Sequence, residues 1–532
     1  MREDLAGHRM YFPQYRRGRV GVELFEGTIL DHVRKLGIAI ETECGGQGRC
    51  GKCVVRVEEG QEALGPRTPT EQELGLGSSE RLACQARVVV PADIYVYVKS
   101  AGEYAILSET ARRRIQIDPL VRRMADLVVW SGPGGERTLG DYRGAMYGLA
   151  MDIGTTTLVC QVFNLETGEP LATAARRNPQ STYGDDVISR IDHTMRHENG
   201  LRELQATVIS AVNEIIEGVG GIDADQIYEA VAVGNPTMRN LFFGLDVRSL
   251  GVIPFEPPSK EPVNAEAASL GLRINPQANV YGAALIGGHA GADCLADIIA
   301  ARLHEAEKPS MVVDIGTNGE VAVGNREHIM TASCAAGGAY EGATVSSGIG
   351  AIAGAISNVR IDGGQVRYET IGGEPPVGIC GSGLIDLLGE LLKARIMTKK
   401  AKLGADFHLT DSIRITQQDV YQLITAKAGL RTDQDLLLKY YGVELEELDK
   451  IYLAGGFGNY INVENAVAIG LLPDLKERIV RIGNGALAGA GEMLLSQPIR
   501  QDSERWAAKI EHTKPNEREP EFAFLVANNM YF

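Results

Sequence analysis

An apolar run that ends in Asp-Ile-Gly-Thr occurs twice in this chain, at residues 149–155 and again at 311–317. In each copy a strand would deliver an aspartate, Asp152 or Asp314, to a turn that exposes backbone N–H groups and hydroxyls. Turns of this kind cradle phosphates, and the carboxylate can hold Mg²⁺ directly or through water. From residue 147 onward the chain alternates strands and helices. We therefore predict an α/β architecture with two duplicated subdomains that face one nucleotide-binding cleft.

A second glycine-rich stretch, Glu43–Cys53, admits two interpretations. Gly46, Gly51 and Lys52 fit the G-x-x-x-x-G-K phosphate loop, whose next residue should be Ser or Thr so that its hydroxyl ligates magnesium. Here that residue is Cys53, and the residues after it have the character of a strand rather than a helix. The stretch is better interpreted as part of a metal or cluster site, which leaves the nucleotide to the duplicated turns.

The spacing of the cysteines predicts the kind of site. Cys44, Cys50 and Cys53 follow the pattern C-x5-C-x2-C, and Cys84 lies at the end of a distant strand. Four thiolates of this arrangement can hold a [2Fe–2S] cluster, and glycines within the loop let its backbone wrap closely. Zinc is the main competitor, but structural zinc sites usually draw two close pairs of ligands, and only Cys50 and Cys53 form such a pair in sequence. We predict that all four cysteines hold a [2Fe–2S] cluster.

Composition and charge narrow the functional classes. The 532 residues carry a net charge of −16, which argues against general binding to nucleic acid or to anionic membranes. No apolar run is long enough for a membrane-spanning helix, and the Arg-rich first twenty residues lack the apolar core of a secretory signal. The eight cysteines do not form a disulfide framework. We expect a cytoplasmic protein that binds neither nucleic acid nor membrane.

Four regions are predicted along the chain. The first is a small α+β domain around the cysteine loop, and the second is a linker or small middle region in which Arg112–Arg114, Arg122 and Arg123 sit in a helix. The third and fourth are the two halves of the α/β part, each with one of the duplicated turns. The predicted boundaries are 16–100, 101–146, 147–300 and 301–532.

Three further glycine-rich elements stand where strands meet helices, at residues 377–384, 451–458 and 482–490. A Gly-Gly pair at a strand end lets the backbone press against a flat base or ribose. Tight helix–strand packing is the alternative explanation, and it is most persuasive for the third element. The first two elements add these candidate nucleotide-binding residues: Gly381, Ser382, Gly383, Gly455, Gly456 and Phe457.

The duplicated turns, together with these glycine elements, resemble the ASKHA superfamily, which contains acetate and sugar kinases, the Hsc70 chaperones and actin. The resemblance implies a two-lobed, RNase H-like fold in which residues 152–157 and 314–320 are the phosphate segments. It also implies that residues 454–458 contact the adenosine and that the connecting helices of a hinge lie near 282–293 and 483–493.

Residue roles follow from the same resemblance. Asp152 and Asp314 would organise Mg²⁺ or the attacking water. Glu320 could assist as a base, or it could equally be a solvated residue at a strand edge. The candidates for holding the phosphates of ATP are Gly154, Thr155, Thr156, Thr157, Gly316, Thr317, Asn318 and Gly319.

The cysteine loop is similar to that of ferredoxins of the adrenodoxin class, which implies a β-grasp [2Fe–2S] domain. Joined to an ASKHA module, it resembles the reductive activators of corrinoid-dependent methyltransferases, of the bacterial type. That resemblance implies an ATP-hydrolysing iron–sulfur oxidoreductase that passes one electron to the inactive cobalt(II) corrinoid of a partner methyl-carrier protein. It also implies a low-potential electron donor of unknown identity and a homodimer.

The corrinoid itself is expected to belong to the partner. Base-off corrinoid domains present a histidine in D-x-H-x-x-G, and no such motif occurs in this sequence. His289 lacks the preceding aspartate and is better interpreted as a packed or capping residue. The alternative function is an ASKHA small-molecule kinase with an attached redox-sensing ferredoxin domain, although no sequence feature defines a pocket for its substrate.

Overall fold

The computed structural model describes residues 5, 7–13, 20–38, 40, 42, 44–98, 114–335, 338–342, 344–456 and 460–532. An N-terminal domain, a small antiparallel sheet and two larger lobes follow one another along this part of the chain. None of the helices among these residues has the length and apolar character needed to cross a membrane.

The N-terminal domain is a mixed sheet with a helix packed on it. Thr28 and Asp31 form a capping box that starts the helix, and Ile29 and Val33 on its inner face join the core of the domain. The order of the strands in the sheet is β2-β1-β5-β3-β4. The strands are β1 (Arg9–Phe12), β2 (Val20–Glu23), β3 (Val54–Glu59), β4 (Glu80–Leu82) and β5 (Ile94–Val98), and the helices are α1 (Ile29–Lys35) and α2 (Pro69–Glu73).

A small antiparallel sheet follows, made of β6 (Val121–Met124), β7 (Leu127–Gly132) and β8 (Gly135–Asp141). The predicted helix around Arg122 and Arg123 is therefore wrong, because both residues lie in β6. Ala125 adopts a left-handed conformation that reverses the chain between β6 and β7. The apolar and aromatic residues of β7 favour a strand, and Val128 and Trp130 pack against the first lobe.

The two lobes account for the rest of the described chain. The first lobe contains strands β9 (Tyr147–Ile153), β10 (Thr157–Asn164), β11 (Pro170–Arg177), β12 (Ile227–Val233), β13 (Val263–Glu266) and β14 (Asn279–Gly282), and helices α3 (Val187–Arg196), α4 (Gly200–Gly218), α5 (Pro236–Phe243), α6 (Ala267–Leu270) and α7 (Ala292–Ala300).

The second lobe contains strands β15 (Ser310–Ile315), β16 (Asn318–Gly324), β17 (Ile329–Ala335), β18 (Ala355–Asp362), β19 (Gln365–Thr370), β20 (Gly378–Ile379), β21 (Phe407–His408), β22 (Arg414–Ile415), β23 (Ile451–Ala454), β24 (Ile479–Gly483) and β25 (Glu511–His512). Its helices are α8 (Gly381–Lys393), α9 (Gln417–Tyr441), α10 (Val463–Ala468), α11 (Gly485–Leu495), α12 (Gln497–Ala507), α13 (Pro515–Arg518) and α14 (Phe522–Asn529).

The main sheets of the two lobes share one arrangement of five strands, and the sixth strand joins at a different edge in each. The orders are β11-β10-β9-β12-β14-β13 and β24-β23-β15-β16-β17-β25. In each sheet the strand that carries the duplicated aspartate, β9 or β15, pairs antiparallel with the next strand in the chain. Each also pairs in parallel with a strand that enters much later, β12 or β23. The duplicated subdomains predicted from the sequence are therefore present.

Helices α7 and α11 cross between the lobes. A Cβ placed on Gly489 of α11 would lie 2.2 Å from the carbonyl oxygen of Ala296 in α7, so only glycine allows this close approach. Ala296 packs into the core of the first lobe, whereas Leu295 beside it packs into a core shared with the second. Helix α11 lies where the sequence predicted a hinge helix. The other predicted helix, near 282–293, begins only at Ala292 because a glycine-rich loop precedes it.

Candidate functional site

The two Asp-Ile-Gly-Thr turns meet in the cleft between the lobes. Thr156 Oγ1 lies 3.0 Å from Thr317 Oγ1, although the two residues belong to different lobes. Thr156 Oγ1 also donates a hydrogen bond to Glu341 Oε2 at 2.9 Å, and the hydroxyl of Thr317 donates to the same carboxylate oxygen. The two turns thus face each other and are in contact through one pair of hydroxyl groups.

A cavity of about 180 Å³ lies between these turns. Residues of the two Asp-Ile-Gly-Thr turns, of the start of α8 and of the end of β23 line it. Phe457 lies outside the described residues. The predicted residues that line the cavity are Asp152, Gly154, Thr155, Thr156, Thr157, Asp314, Gly316, Thr317, Asn318, Glu320, Gly381, Gly455 and Gly456.

Three other predicted residues pack beneath the cavity and do not line it. Ser382 donates a hydrogen bond to a backbone carbonyl of β18 at 2.9 Å. A Cβ on Gly383 would lie 2.2 Å from another carbonyl oxygen of β18, and a Cβ on Gly319 would lie 2.8 Å from a leucine side chain of α9. These residues let α8 and α9 approach the strands that form the cleft, so in this structure they support the cavity.

Buried carboxylic acids crowd the floor of the cleft. Burial raises the pKa of Asp152 and of Asp293 to about 7, and that of Asp314 to about 6, and neighbouring carboxylates add to each rise. Burial also raises the pKa of Glu320 and of Asp297 well above the ordinary range of carboxylic acids. Because like charges repel strongly in a dry cleft, a cation must enter before all of these groups ionise. The donor set therefore fits a nucleotide that arrives with Mg²⁺.

Two asparagines and two acidic residues, Asp293 and Glu341, line the cleft but were not predicted from the sequence. Asn484 begins α11 and donates from Nδ2 to Asp152 Oδ2 at 2.9 Å. Asn235 begins α5 and donates from Nδ2 to Thr155 Oγ1 at 2.9 Å. Both asparagines follow a glycine at the end of a strand, and this Gly-Asn step is a signal that could have found them. Glu341 lies on a short 3-10 turn and has no comparable motif.

Replacing Asp152 by asparagine is expected to stabilise the protein in the absence of nucleotide and Mg²⁺, and to do so more strongly at higher pH. The folded-state pKa of Asp152, about 7, exceeds its ordinary value of 3.8, so this group lowers stability progressively as the pH rises through that range. Asparagine retains an acceptor for Asn484 but carries no charge. Thermal unfolding between about pH 5 and pH 8 should show the wild type losing several degrees relative to the variant. Parallel pH profiles of the two proteins would contradict this account.

The four predicted ligand cysteines come together at one end of the N-terminal domain as two pairs. Cys53 Sγ lies 3.3 Å from Cys84 Sγ, and the thiols of Cys44 and Cys50 are joined by a hydrogen bond. Cys53 directly precedes β3 and Cys84 follows β4, and the antiparallel pairing of these strands places the two thiols side by side. The first pair comes from the loop alone and the second from the sheet.

The loop between the cysteines is shaped by glycine. Gly45, Gly46, Gly48 and Gly51 all have φ between 62° and 93°, a conformation that other residues rarely adopt. This backbone turns N–H groups toward the sulfur atom of Cys44. Burial raises the pKa of the Cys44 thiol, but hydrogen bonds from these backbone groups outweigh burial and lower it overall. Such donors stabilise a thiolate, which is the form that binds metal.

The second pair has the same character. A hydrogen bond from Cys53 lowers the pKa of Cys84 to about 7, whereas that hydrogen bond and burial raise the pKa of Cys53. Each pair therefore contains one thiol whose pKa is lowered, Cys44 in the first and Cys84 in the second. The two pairs are chemically similar ligand sets placed next to each other.

This geometry distinguishes a binuclear cluster from zinc. In the described part of the chain no three Cys, His, Asp or Glu side chains converge as ligands of one metal ion. Two thiolates on one tetrahedral metal lie about 3.8 Å apart, which is close to the separation of Cys53 and Cys84. Two separate pairs suit two iron atoms with two cysteines each, whereas zinc would require all four sulfur atoms around one centre. The residues fit a [2Fe–2S] cluster.

Three family models match the chain in succession. Residues 19–89 match the 2Fe-2S iron-sulfur cluster binding domain, and residues 147–306 match the RACo middle region. Residues 308–532 match the C-terminal domain of RACo, the ASKHA domain. The predicted fold, a [2Fe–2S] ferredoxin domain followed by an ASKHA domain, is thereby confirmed. The region matched as the middle of RACo contains the first of the two Asp-Ile-Gly-Thr turns.

Individual proteins show the same similarity along most of the chain. The corrinoid activation enzyme RamQ of Eubacterium limosum is 32% identical, across 89% of this chain and 91% of that protein. The [Co(II) methylated amine-specific corrinoid protein] reductase of Methanosarcina barkeri is 28% identical, across 69% of this chain and 73% of that protein. A solved structure of a reductive activator for corrinoid, iron–sulfur protein matches with a TM-score of 0.74 at 28% identity and covers 99% of this chain and 98% of that one. This chain therefore belongs to the family of reductive activators of corrinoid proteins.

Proposed function

We propose that this chain is an ATP-dependent reductive activator, which passes one electron to the inactive cobalt(II) corrinoid of a partner methyl-carrier protein and restores cobalt(I). One observation carries the proposal. A single chain combines two thiol pairs suited to a [2Fe–2S] cluster with a cleft in which Thr156 and Thr317 of opposite lobes lie 3.0 Å apart. Its relatives in Eubacterium limosum and Methanosarcina barkeri are named for action on corrinoid proteins. The activity would be that of an ATP-hydrolysing iron–sulfur oxidoreductase.

The cysteine pairs would hold the cluster. When bound, a [2Fe–2S] cluster supplies one electron at low potential. Backbone N–H groups that donate to Cys44 would stabilise the reduced form of such a cluster, because that form carries one more negative charge. Cys44 and Cys50 are partly exposed whereas Cys53 and Cys84 are buried, so the Cys44–Cys50 pair lies on the side through which an electron would pass.

The two phosphate turns would hold ATP from both lobes. The hydroxyls of Thr156 and Thr317 already contact each other, so a terminal phosphate would insert between them and accept their hydrogen bonds in place of the Glu341 carboxylate. Glu341 accepts from both hydroxyls and would fix their orientation before the nucleotide arrives. The remaining candidates would supply backbone N–H groups to the phosphates, or a flat surface to the adenosine at Gly455 and Gly456.

Mg²⁺ would enter with the nucleotide beside Asp152 and Asp314. Because the pKa values of these groups are raised to about 7 and about 6, binding of a divalent cation would release protons from them near neutral pH. Glu320 has a pKa raised well above its ordinary range by burial. A neutral Glu320 cannot accept a proton, so its predicted role as a base would require the cation to be bound first.

Closure of the lobes would connect ATP to the electron transfer. Reduction of cobalt(II) to cobalt(I) in a corrinoid requires a very low potential, so ATP hydrolysis would supply the difference. Such closure would bend the chain where α7 and α11 cross between the lobes, in close contact at Gly489. A low-potential donor of unknown identity, a homodimer and a cytoplasmic location remain expectations from the sequence.

The test is reduction of a corrinoid partner. The protein is purified without oxygen and mixed with a corrinoid methyl-carrier protein in the cobalt(II) state and a chemical reductant, with and without ATP and Mg²⁺. We expect the cobalt(I) absorption band to appear only in the sample with ATP. ATP-dependent phosphorylation of a metabolite without any change at cobalt would contradict the proposal and favour a kinase with a redox-sensing domain.

A further inference from the structure

One short segment of the first lobe, residues 178–197, touches both the first Asp-Ile-Gly-Thr turn and the loop that carries Cys44, Cys50 and Cys53. We call this loop the cluster loop, and we call the segment the bridging segment. The bridging segment consists of a 3-10 turn, Pro179–Thr182, and helix α3. At about 2 Å of rise per residue, the 3-10 turn spans only about 8 Å.

Through Asn178 and Arg190, the bridging segment holds three consecutive carbonyl groups of the first phosphate turn. Asn178 donates from Nδ2 to the oxygen of Gly154 at 2.9 Å and from its backbone N–H to that of Thr156 at 2.7 Å. Arg190, which is fully buried, donates from Nη2 to the oxygen of Thr155 at 2.7 Å. Any change in the path of this turn must therefore move Asn178 or Arg190, or break a buried hydrogen bond.

Between Asn178 and Arg190, the bridging segment contacts the first domain beside the cluster loop. Thr42 donates from Oγ1 to the carbonyl oxygen of Ser181 at 2.6 Å. The guanidinium group of Arg34 donates from Nε to the oxygen of Thr182 and from Nη2 to the oxygen of Gly45, each at 3.2 Å, so one side chain joins the lobe to the loop.

The loop residue next to Cys44 sits directly on the bridging segment. A Cβ placed on Gly45 would lie 2.7 Å from the carbonyl oxygen of Tyr183, so the two backbones touch. The Arg34 guanidinium also stacks on the Tyr183 ring, 4.5 Å from its centroid. The position of Cys44 is therefore set by the first lobe as well as by its own domain.

A cavity of about 240 Å³ separates the rest of the cluster loop from α3. Cys44 and Arg49 line it from the loop, and His193, Arg196 and His197 line it from α3 and the residues just after it. Because the loop is anchored at Gly45 but open beside this cavity, a small displacement of α3 would change how much water reaches Cys44. Solvent exposure and hydrogen bonds to sulfur both control the reduction potential of iron–sulfur clusters.

We propose that the bridging segment couples the two sites, so that nucleotide binding at Gly154–Thr156 changes the surroundings of Cys44 and thereby the reduction potential of the cluster. The inference rests on the proposed function only in that it takes the cleft to bind ATP and the four cysteines to hold the cluster. Arg34 and Thr42 act here as positioning residues. By linkage, reduction of the cluster must change the affinity for nucleotide by the same factor.

The experiment measures the midpoint potential of the cluster in the whole protein, without any corrinoid partner. Redox titrations are followed by electron paramagnetic resonance in the absence of nucleotide, with MgADP, and with a non-hydrolysable analogue of MgATP. We expect the wild-type potential to differ between these states and the difference to be largely lost in Arg34→Ala and in Thr42→Val. Arg34→Lys, which keeps one donor, should recover part of it. Calorimetry should find nucleotide affinity unequal between oxidised and reduced wild type, and equal in the two variants.

Arg56→Ala is the matched control. Arg56 belongs to the same domain but pairs with Glu58 and stacks on Tyr97, so its removal should leave the nucleotide-dependent difference intact. A wild-type potential that is the same in all three nucleotide states would overturn the inference, as would an undiminished difference in Thr42→Val. The visible absorption of the cluster verifies that each variant is folded. If the potential responds to nucleotide but no corrinoid is reduced, this inference stands and the proposed function fails.

Discussion

Replacing Asp314 by alanine is expected to lower ATP turnover by at least about 100-fold while the visible absorption of the cluster stays unchanged. Asp314 ends β15 at the cleft, and its Oδ1 is a buried oxygen without a hydrogen-bond partner among the described residues. Burial, with added repulsion from Asp152 and Glu341, raises its pKa to about 6. An unpaired anionic oxygen in this position is suited to a cation that arrives with ATP, and alanine removes it. Phosphate release and the absorption spectrum are measured on one preparation.

Asp433→Asn is the control for this variant. Asp433 is a buried carboxyl group of the same lobe whose pKa is likewise raised to about 7 by burial, but it lies on α9 and does not line the cleft. It should retain most of the turnover. If Asp314→Ala hydrolysed ATP at the wild-type rate, the assignment of the second phosphate turn would be wrong. If both variants lost activity equally, general destabilisation of the lobe would explain the result.

The sequence was most informative where a functional residue and the element that positions it are adjacent in the chain. Asp152 and Asp314 each come at the end of an apolar run and precede a Gly-Thr turn, so the residue pattern alone indicated both the strand and the point where it ends. Because the motif is duplicated, the facing arrangement could be inferred without any knowledge of the packing. In the structure the two turns do face each other, and Thr156 contacts Thr317.

Residues that reach the cleft from elsewhere could not be found in this way. Glu341 enters from a 3-10 turn of the second lobe, and Asp293 enters from the start of α7. Asn484 reaches Asp152 only because α11, which follows the last strand of the second lobe, packs against the first lobe. The Gly-Asn step marks Asn484 as a strand-end residue, but the lobe that it reaches depends on the packing of whole helices, of which a local sequence pattern carries no record.

Glycine patterns were ambiguous for a related reason. Gly381 lines the cavity, whereas Gly383, two residues later, faces the carbonyl oxygen of Ile356, where a Cβ would lie 2.2 Å away. Gly381 lies beside the candidate ligand site and Gly383 lies against a strand, so the same residue type serves two different purposes that the sequence does not distinguish. Arg122 and Arg123 lie in a strand rather than in the predicted helix because the strand depends on the tight turn at Ala125 and on pairing with β7, neither of which a pair of basic residues indicates.

Replacing Cys53 by alanine is expected to remove the visible absorption of the cluster and to abolish corrinoid reduction, while ATP still binds. Cys53 lies 3.3 Å from Cys84 and is buried, so its loss leaves one iron with a single cysteine at a position that water reaches poorly. The cleft is built from other elements and should keep its affinity for MgATP within about threefold, since that is the usual scatter for a distant site. Iron content, absorption and nucleotide affinity are measured on the same anaerobic preparation.

Cys160→Ala provides the control, because Cys160 is an equally buried cysteine of β10 outside the loop and should keep the full iron content. A Cys53→Ala protein with wild-type iron content and spectrum would show that the two thiol pairs are not the ligands, and the electron-transfer function proposed here would lose its basis.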